Sequence, residues 1–281
     1  MSNSTPLRFI TYLSPSVPVG LFEAVVHYLE ESLGREIQLI YESRWSGPPS
    51  DRVDPFTANN ADIGVMCSSV FLKLVEEKKT SIEFLELGAV HTHPRSEARP
   101  IYFGDIVVHS DNKDKFDNFE KLKGCKWGYN DPESLSGNIS VLAHLKKCGT
   151  NASFFGHIIQ SGSHIESLKM ILHKTIDAAA VDSNSLINFV NSYPEQRENL
   201  HVMTSLGPFP IYPFVANSRL PAETKTKIKE ALLNMHKSVT WEEKLQKYGV
   251  QKFTKTDMSL YDKEKEIKEY MKGLKIETVY Y

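Results

Sequence analysis

The hydrophobic pattern of the chain alternates between short apolar runs and segments whose apolar residues lie three or four positions apart. The runs predict strands and the spaced segments predict helices. The predicted strands are residues 7–12, 37–41, 62–66, 85–90, 105–109, 125–129, 156–160, 178–182 and 211–216. The predicted helices are residues 22–33, 69–77, 119–122, 136–148, 164–174, one that begins at Pro221, 240–247 and 258–272. Residues 207–210 (Gly-Pro-Phe-Pro) predict a loop.

This alternation predicts parallel βαβ units, and it restarts after residue 104. The fold class is therefore α/β with two blocks. A length of 281 residues accommodates two domains, and 41% apolar with 24% charged residues is ordinary for a soluble globular protein. A net charge of −2 argues against the basic surface that a nucleic-acid-binding protein needs. No segment has the ~20 consecutive apolar residues of a membrane-spanning helix.

The N-terminal residues and the cysteines bear on the compartment. Residues 1–6 have neither a basic region nor an apolar region, so the chain as given predicts no secretion signal and, by itself, a cytoplasmic location. Cys67, Cys125 and Cys148 lack metal-ligand spacing and are expected to be free thiols, which suits a reducing compartment.

The segment Ser134-Leu135-Ser136-Gly137 is the most informative in the chain. It follows the predicted strand 125–129 and the turn Asn130-Asp131-Pro132, and it opens a helical segment. The first N–H groups of a helix have no intrahelical acceptor and lie at the positive end of the helix dipole. Such a turn binds an anion without lysine or arginine. An ordinary N-cap is the alternative.

Further motifs, taken together, resemble the phosphonate-binding (PhnD-like) family of periplasmic solute-binding proteins of ABC transporters. They are spread over almost the whole length. The motifs are Tyr12-Leu13-Ser14-Pro15, Asn60-Ala61-Asp62-Ile63-Gly64, residues 100–108, Asp131-Pro132-Glu133-Ser134-Leu135-Ser136-Gly137, Gly162-Ser163-His164, residues 177–182 and Leu206-Gly207-Pro208.

The resemblance implies a type II periplasmic-binding-protein fold. Each lobe is expected to hold a mixed, mainly parallel sheet flanked by helices, and two crossing strands join the lobes. Residues 1–104 and 214–281 would form the first lobe, and residues 105–213 the second. The family binds its ligand between the lobes and closes them by hinge bending. It implies a monomer that binds a small anion, with a membrane permease as partner if the protein is exported, and relatives that are periplasmic.

The resemblance also implies ligand-binding residues in the second lobe. Ser134 and Ser136 would donate hydroxyls, the backbone from Leu135 would donate N–H groups, and Gly137 would let the backbone approach the ligand. His164 would donate to a further oxygen and gain charge when the anion binds. Capping and core packing are the alternatives. Tyr102, at the crossing between the lobes, is a further candidate, as a phenol donor. Asp182, which ends a strand of the second lobe, is a candidate as a proton acceptor or the partner of a ligand amine.

In the first lobe, Trp45 and Tyr12 are candidates for contact with an apolar or cationic substituent. Ser68 and Ser69, at a strand-to-helix turn, are candidates for completing the polar site. The family pattern is not kept here. Residues 43–49 replace the usual aromatic loop, and Cys67-Ser68-Ser69 stands where many relatives have a glycine-proline turn.

Three functions remain open from the sequence. The leading one is a solute-binding protein for a phosphonate or phosphate-type oxyanion. An enzyme on the same bilobal scaffold, similar to pyrimidine-synthesis proteins, would need His164 or Cys67 as its reactive group. A carrier of an apolar molecule would need a pocket between the Trp45 loop and Phe71. No catalytic motif, cofactor or metal site is predicted, and His91-Thr92-His93 is interpreted as a loop histidine pair.

Overall fold

The computed structural model describes residues 5–13, 16–43, 46–49, 51–77 and 81–272. The chain divides into two compact units. One comprises residues 1–100 and 210–260, and the other comprises residues 101–209 and 261–281, in each case where described.

The element bounds follow the chain order. The strands are β1 (Leu7–Thr11), β2 (Ile37–Tyr41), β3 (Ile63–Val65), β4 (Ile82–Phe84), β5 (Leu87–His91), β6 (Ile101–His109), β7 (Lys126–Tyr129), β8 (His157–Gln160), β9 (Ala178–Asp182), β10 (Leu200–Pro210), β11 (Phe214–Asn217) and β12 (Val250–Lys255). The helices are α1 (Val19–Leu33), α2 (Ser68–Glu77), α3 (Ser140–Lys147), α4 (His164–Leu172), α5 (Ser183–Ser192), α6 (Ala222–Asn234), α7 (Val239–Lys247) and α8 (Asp262–Met271).

The first unit contains a five-stranded sheet in the order β2-β1-β3-β11-β4. Strand β1 runs parallel to β2 and β3, and β11 runs antiparallel to its neighbours β3 and β4. Strands β5 and β12 form a separate antiparallel pair. The apolar stripe of α1 is buried, and the helix ends at Gly34 with a left-handed φ of 59°, a conformation that glycine adopts without strain.

The second unit contains a five-stranded sheet in the order β10-β6-β9-β7-β8. Strand β7 is parallel to β8 and β9, while β6 is antiparallel to β9. One face of the sheet packs on α3 through a buried cluster that includes Ile106, Trp127 and Leu145. The opposite face packs on α4 and α5 through Val107 and Leu168. Side chains alternate along the strands, so the central strands contribute to both cores.

The α/β class and the strand–helix alternation are confirmed, with differences in detail. The predicted loop 207–210 is instead the end of β10, because pairing with β6 overrides the turn preference of the two prolines. The predicted strand 85–90 corresponds to β5 (Leu87–His91), and strand β4 (Ile82–Phe84), which precedes it, was not predicted. Strand β12 was not predicted.

The units differ from the predicted lobes mainly at the C-terminus. We placed residues 214–281 in the first lobe, but α8 belongs to the second unit. The reason is packing against α3. Met271 lies against the core beneath α3, and Lys146 Nζ donates to the Tyr270 carbonyl at 2.7 Å.

Candidate functional site

The candidate residues of the second unit lie at one edge of its sheet. The parallel strands β7, β8 and β9 end there at Tyr129, Gln160 and Asp182. Strand β6 begins there, because it is antiparallel to β9 and pairs Gly104 with Asp182. The carboxyl edge of parallel strands is where open α/β sheets bind ligands. The fold thus brings the 134–137 turn, His164, Asp182 and the start of β6 to a common edge.

The 134–137 turn opens a continuous helical segment. Residues Leu135–Ile139 form a π-helical turn that runs directly into α3. The N–H groups of Leu135 and Ser136 have no hydrogen-bond acceptor among the described residues. Likewise, no hydrogen bond joins the Ser136 hydroxyl to another described residue, although the residue is only 2% exposed. The turn therefore offers two backbone donors and a hydroxyl to a ligand.

Ser134 has a structural task in this turn. Its Oγ accepts a hydrogen bond from the Gly137 N–H at 3.2 Å, which is N-capping. Its carbonyl accepts from the N–H groups of Asn138 and Ile139. The capping alternative thus describes Ser134 as it stands here, and ligand contact by Ser134 or by the Gly137 N–H stays a prediction.

Two glycines are required by close approach rather than by backbone strain. A Cβ on Gly104 would lie 2.7 Å from the carbonyl oxygen of Ser136, so strand β6 packs directly on the turn. A Cβ on Gly137 would lie 1.8 Å from Oδ1 of Asn130 and 3.0 Å from Cε1 of His164. A side chain at either position would push the turn away from the sheet edge.

His164 is buried at the start of α4, only 5% exposed. Its Nδ1 accepts from the backbone N–H of Asp182 at 3.3 Å, and its Nε2 lies 3.3 Å from Nδ2 of Asn130. Burial lowers the pKa of the imidazole to about 4, so the ring is neutral at pH 7. The expected gain of charge and direct donation to the ligand are not favoured by this environment, because both ring nitrogens face protein groups.

Asp182 ends β9 and caps α5. One of its carboxylate oxygens accepts from the N–H groups of Asn184 and Ser185, at 2.7 and 3.2 Å. Burial raises the pKa of Asp182 to about 7; the two N–H donors oppose this rise and the nearby charge of Asp105 adds to it. At neutral pH the carboxyl group is thus poised between its protonated and ionised forms.

The remaining candidates differ in how the structure places them. Tyr102, near the start of β6, is 8% exposed and its ring contacts Phe209 edge-on at 5.6 Å. In the first unit, Tyr12 follows β1, and Ser68 and Ser69 begin α2 after β3, so all three lie at the carboxyl edge of that sheet. Trp45 lies outside the described residues.

The first-unit candidates are largely buried. Tyr12 is 5% exposed, and burial raises the pKa of its phenol. Ser68 is 3% exposed, and the Ser69 hydroxyl lies 3.2 Å from the Cys67 thiol. Phe71 packs on Phe84 with ring centroids 5.6 Å apart, so it belongs to the core and does not open an apolar pocket.

Sequence reasoning missed Asn130. We named it only as part of a turn, yet its carboxamide lies between His164 and Gly137. Within the part of the chain that the structure describes, its Oδ1 is buried without a hydrogen-bond partner. The only signal in the sequence was its position, directly after a predicted strand and before the anion turn.

Neither a metal cluster nor a membrane-spanning helix is found within the described part of the chain. No group of three potential metal-ligating side chains occurs there. Nε2 of His91 lies 2.8 Å from the Tyr212 hydroxyl, and burial lowers the His91 pKa to about 3, while Nδ1 of His93 accepts from the Arg95 N–H. Within the same residues, every helix is too short or too polar to cross a bilayer.

Comparison with known proteins identifies a family. Residues 7–261 match the profile of the family described as "ABC transporter, phosphonate, periplasmic substrate-binding protein". The chain is 26% identical over 157 residues to the phosphonates-binding periplasmic protein of Escherichia coli strain K12. That match covers 55% of this chain and 46%, or about half, of the relative.

Two solved structures share the fold. One is a binding protein of an ABC phosphonate transporter from Pseudomonas aeruginosa, with a TM-score of 0.73 and 17% identity over 94% of this chain and 86% of that one. The other is PhnD1 of Prochlorococcus marinus in complex with methylphosphonate, with a TM-score of 0.72 and 17% identity over 95% of this chain and 98% of that one. The predicted type II periplasmic-binding-protein fold is confirmed by these neighbours.

Proposed function

The chain belongs to the phosphonate-binding family of periplasmic substrate-binding proteins of ABC transporters, and we propose that it binds a small tetrahedral oxyanion, a phosphonate or a phosphate-type compound. The members of this family bind substrates for a transporter and are not enzymes. The enzyme alternative is therefore not supported. The apolar-carrier alternative has no support, since Phe71 is buried against Phe84.

The observation that carries the proposal is the group of free donors at the start of the 135–147 helical segment. The N–H groups of Leu135 and Ser136 have no acceptor among the described residues, and the Ser136 hydroxyl is unpaired beside them. These three donors suit three oxygens of a tetrahedral anion, and the helix dipole favours negative charge at this end. Burial strengthens such hydrogen bonds, because the surrounding dielectric is low.

We propose that Asp182 contacts the ligand both in its protonated and in its ionised form. With a pKa of about 7 it is partly protonated at neutral pH, and in that form it donates to an oxyanion rather than repelling it. When ionised, it accepts from a monoprotonated phosphonate or pairs with a ligand amine. Tyr102, which shares this edge, is proposed as a further donor. Tyr12, Ser68 and Ser69 are proposed to contact the ligand from the first unit.

The biological partner we propose is a membrane permease, by analogy with the family. The relatives are periplasmic proteins, and the compartment of this chain is left open.

Isothermal titration calorimetry with methylphosphonate, inorganic phosphate and sulfate tests the proposal. We expect saturable binding of at least one of these anions, and Ser136→Ala should weaken it by ~1–3 kcal/mol because a hydrogen bond to a charged group is lost. Ser96→Ala is the matched control: Ser96 is 2% exposed and its hydroxyl donates to the carbonyls of His91 and His93. That change should lower stability but leave affinity unaltered. An unchanged affinity of Ser136→Ala would remove this residue from the site.

A further inference from the structure

The carboxamide of Asn130 is unusual among the polar groups at the sheet edge. The residue is 9% exposed and directly follows β7. One end of the amide, Nδ2, lies 3.3 Å from Nε2 of His164. The other end, Oδ1, is buried without a hydrogen-bond partner among the described residues, and it lies 1.8 Å from the point that a Cβ on residue 137 would occupy. The outer end of the amide is thus aimed at the start of the anion turn.

The hydrogen bonds of His164 determine which ring nitrogen carries the proton. The backbone N–H of Asp182 points at Nδ1 from 3.3 Å. A backbone nitrogen can only donate, so Nδ1 must be the nitrogen with the free lone pair. A neutral imidazole then has its proton on Nε2. Nε2–H and the NH₂ group of Asn130 would be two donors facing each other.

Exchanging the two ends of the Asn130 amide removes this conflict. The oxygen and nitrogen of a carboxamide have nearly the same shape, so the hydrogen-bond network decides between the two orientations. In the exchanged orientation, Oδ1 accepts from Nε2–H of His164. The NH₂ group then lies against Gly137, the last residue of the 134–137 turn. An unpaired buried acceptor becomes a donor at the place where an anion is expected.

We propose that Asn130 is a further oxyanion-binding residue, whose amide N–H donates to the ligand at the start of the 135–147 helical segment, and that His164 is a positioning residue which holds this amide in place. The inference rests on the proposed function and extends it. It assigns the ligand-directed donor to Asn130 instead of the imidazole. It also gives Gly137 a second reason to be glycine, because any side chain there would displace the amide.

The orientation of the amide can be tested without any ligand. Long-range ¹H–¹⁵N NMR of the histidine rings in the whole protein should show His164 protonated on Nε2 and bare on Nδ1 at neutral pH. The opposite tautomer would place the Asn130 NH₂ against the ring and overturn the proposal. Because this measurement uses the unmodified chain, it does not depend on a variant that folds.

The binding role is tested with methylphosphonate, or with phosphate or sulfate if only that anion binds. Asn130→Ala should weaken binding on the order of 10-fold, and Asn130→Asp by more, since a carboxylate replaces the donor. The control is Asn188→Ala, a buried asparagine of the same unit whose amide donates to the Asn184 carbonyl at 2.8 Å; its affinity should not change. The side-chain NH₂ resonances of Asn130 in the wild type should also shift on titration.

A double-mutant cycle separates positioning from general structural support. His164→Ala should weaken binding in the wild-type background but have little further effect in the Asn130→Ala background. The reason is that His164 contributes to binding only through the Asn130 amide. Additive losses of binding free energy would overturn the positioning role.

If the wild type binds an anion while both Asn130 variants bind it within twofold of the wild-type affinity, Asn130 does not bind the anion and the proposed function stands. If the wild type binds none of the three anions, the proposed function itself fails.

Discussion

At the scale of single residues, burial at the sheet edge drives two titratable groups towards their neutral forms. The pKa of His164 is lowered to about 4 and that of Asp182 is raised to about 7, in both cases chiefly by desolvation. Neither group therefore brings a full fixed charge to the site at pH 7. The donors that we propose for the anion are then neutral N–H and O–H groups, as at other helix N-termini that bind anions.

Asp182→Asn should raise stability at alkaline pH. The folded pKa of Asp182 lies above its ordinary value of 3.8, so the native state holds the proton more tightly than the unfolded chain. Its ionisation therefore costs stability progressively as pH rises from about 4 through 7. Asparagine still caps α5 but has no charge to bury. Thermal unfolding should be measured from pH 4 to 8. The melting temperature of Asp182→Asn should increase relative to that of the wild type as pH rises.

The control for this experiment is Asp54→Asn. Asp54 also caps a turn, with Oδ1 accepting from the N–H groups of Phe56 and Thr57, but it is partly exposed. If this variant gained stability with rising pH as Asp182→Asn does, burial of the carboxyl group would not be the cause. A difference in melting temperature between the wild type and Asp182→Asn that stays constant from pH 4 to 8 would contradict the account of a buried carboxyl group.

At the scale of elements, the sequence predicted a helix from residue 136 but not the geometry of its first turn. The Ser134 carbonyl accepts from both Asn138 and Ile139, and the second of these bonds, at 2.9 Å, is the wide π-helical one. Single π-helical turns are frequent at functional sites. Here the turn is held by Gly104, which β6 brings against the Ser136 carbonyl. That contact joins residues far apart in sequence, so no local pattern could reveal it.

Ser134→Asp should separate capping from ligand binding in this turn. Aspartate is as good an N-cap as serine and suits the helix dipole, so stability should stay close to that of the wild type. The added carboxylate would lie where the anion is expected and should abolish oxyanion binding. Ser134→Ala should do the reverse, losing about 1 kcal/mol of stability with a smaller loss of affinity. Chemical denaturation and calorimetry on both variants check this, and equal affinity of Ser134→Asp and the wild type would contradict an anion at this turn.

The other elements show where sequence reasoning succeeded and where it stopped. Strand β2 and the start of α4 at His164 match the prediction, because apolar spacing and a capping serine are local features. Strand β10 was missed, because Gly207 and Pro208 indicate a turn unless a partner strand is known. The role of Asn130 was missed for the same reason: it depends on His164 and Gly137 being neighbours in space.

At the scale of the whole molecule, the proposed function involves both units. Each unit has its own five-stranded sheet, with candidate residues at the carboxyl edge of the parallel strands. In the function proposed above, residues from both edges contact one ligand. Closure of the lobes on that ligand stays a prediction.

Ligand-induced closure should compact the protein in solution and raise its melting temperature. Mass action alone gives about 2.7 kcal/mol of stabilisation when free ligand is at a hundredfold excess over its dissociation constant. Small-angle scattering, with and without an anion that calorimetry has shown to bind, checks the compaction. Superimposable profiles, together with a raised melting temperature, would mean that binding occurs without hinge closure.

We propose that the free donors at the start of the 135–147 helical segment hold an oxyanion. The most direct test is a ¹H–¹⁵N titration of the whole protein with methylphosphonate, following the backbone amides of Leu135 and Ser136. We predict large, saturable shifts of both resonances, with the same midpoint as calorimetric binding, because a charged oxygen placed against these N–H groups deshields their protons. Saturable binding that leaves both amides unmoved would contradict the account.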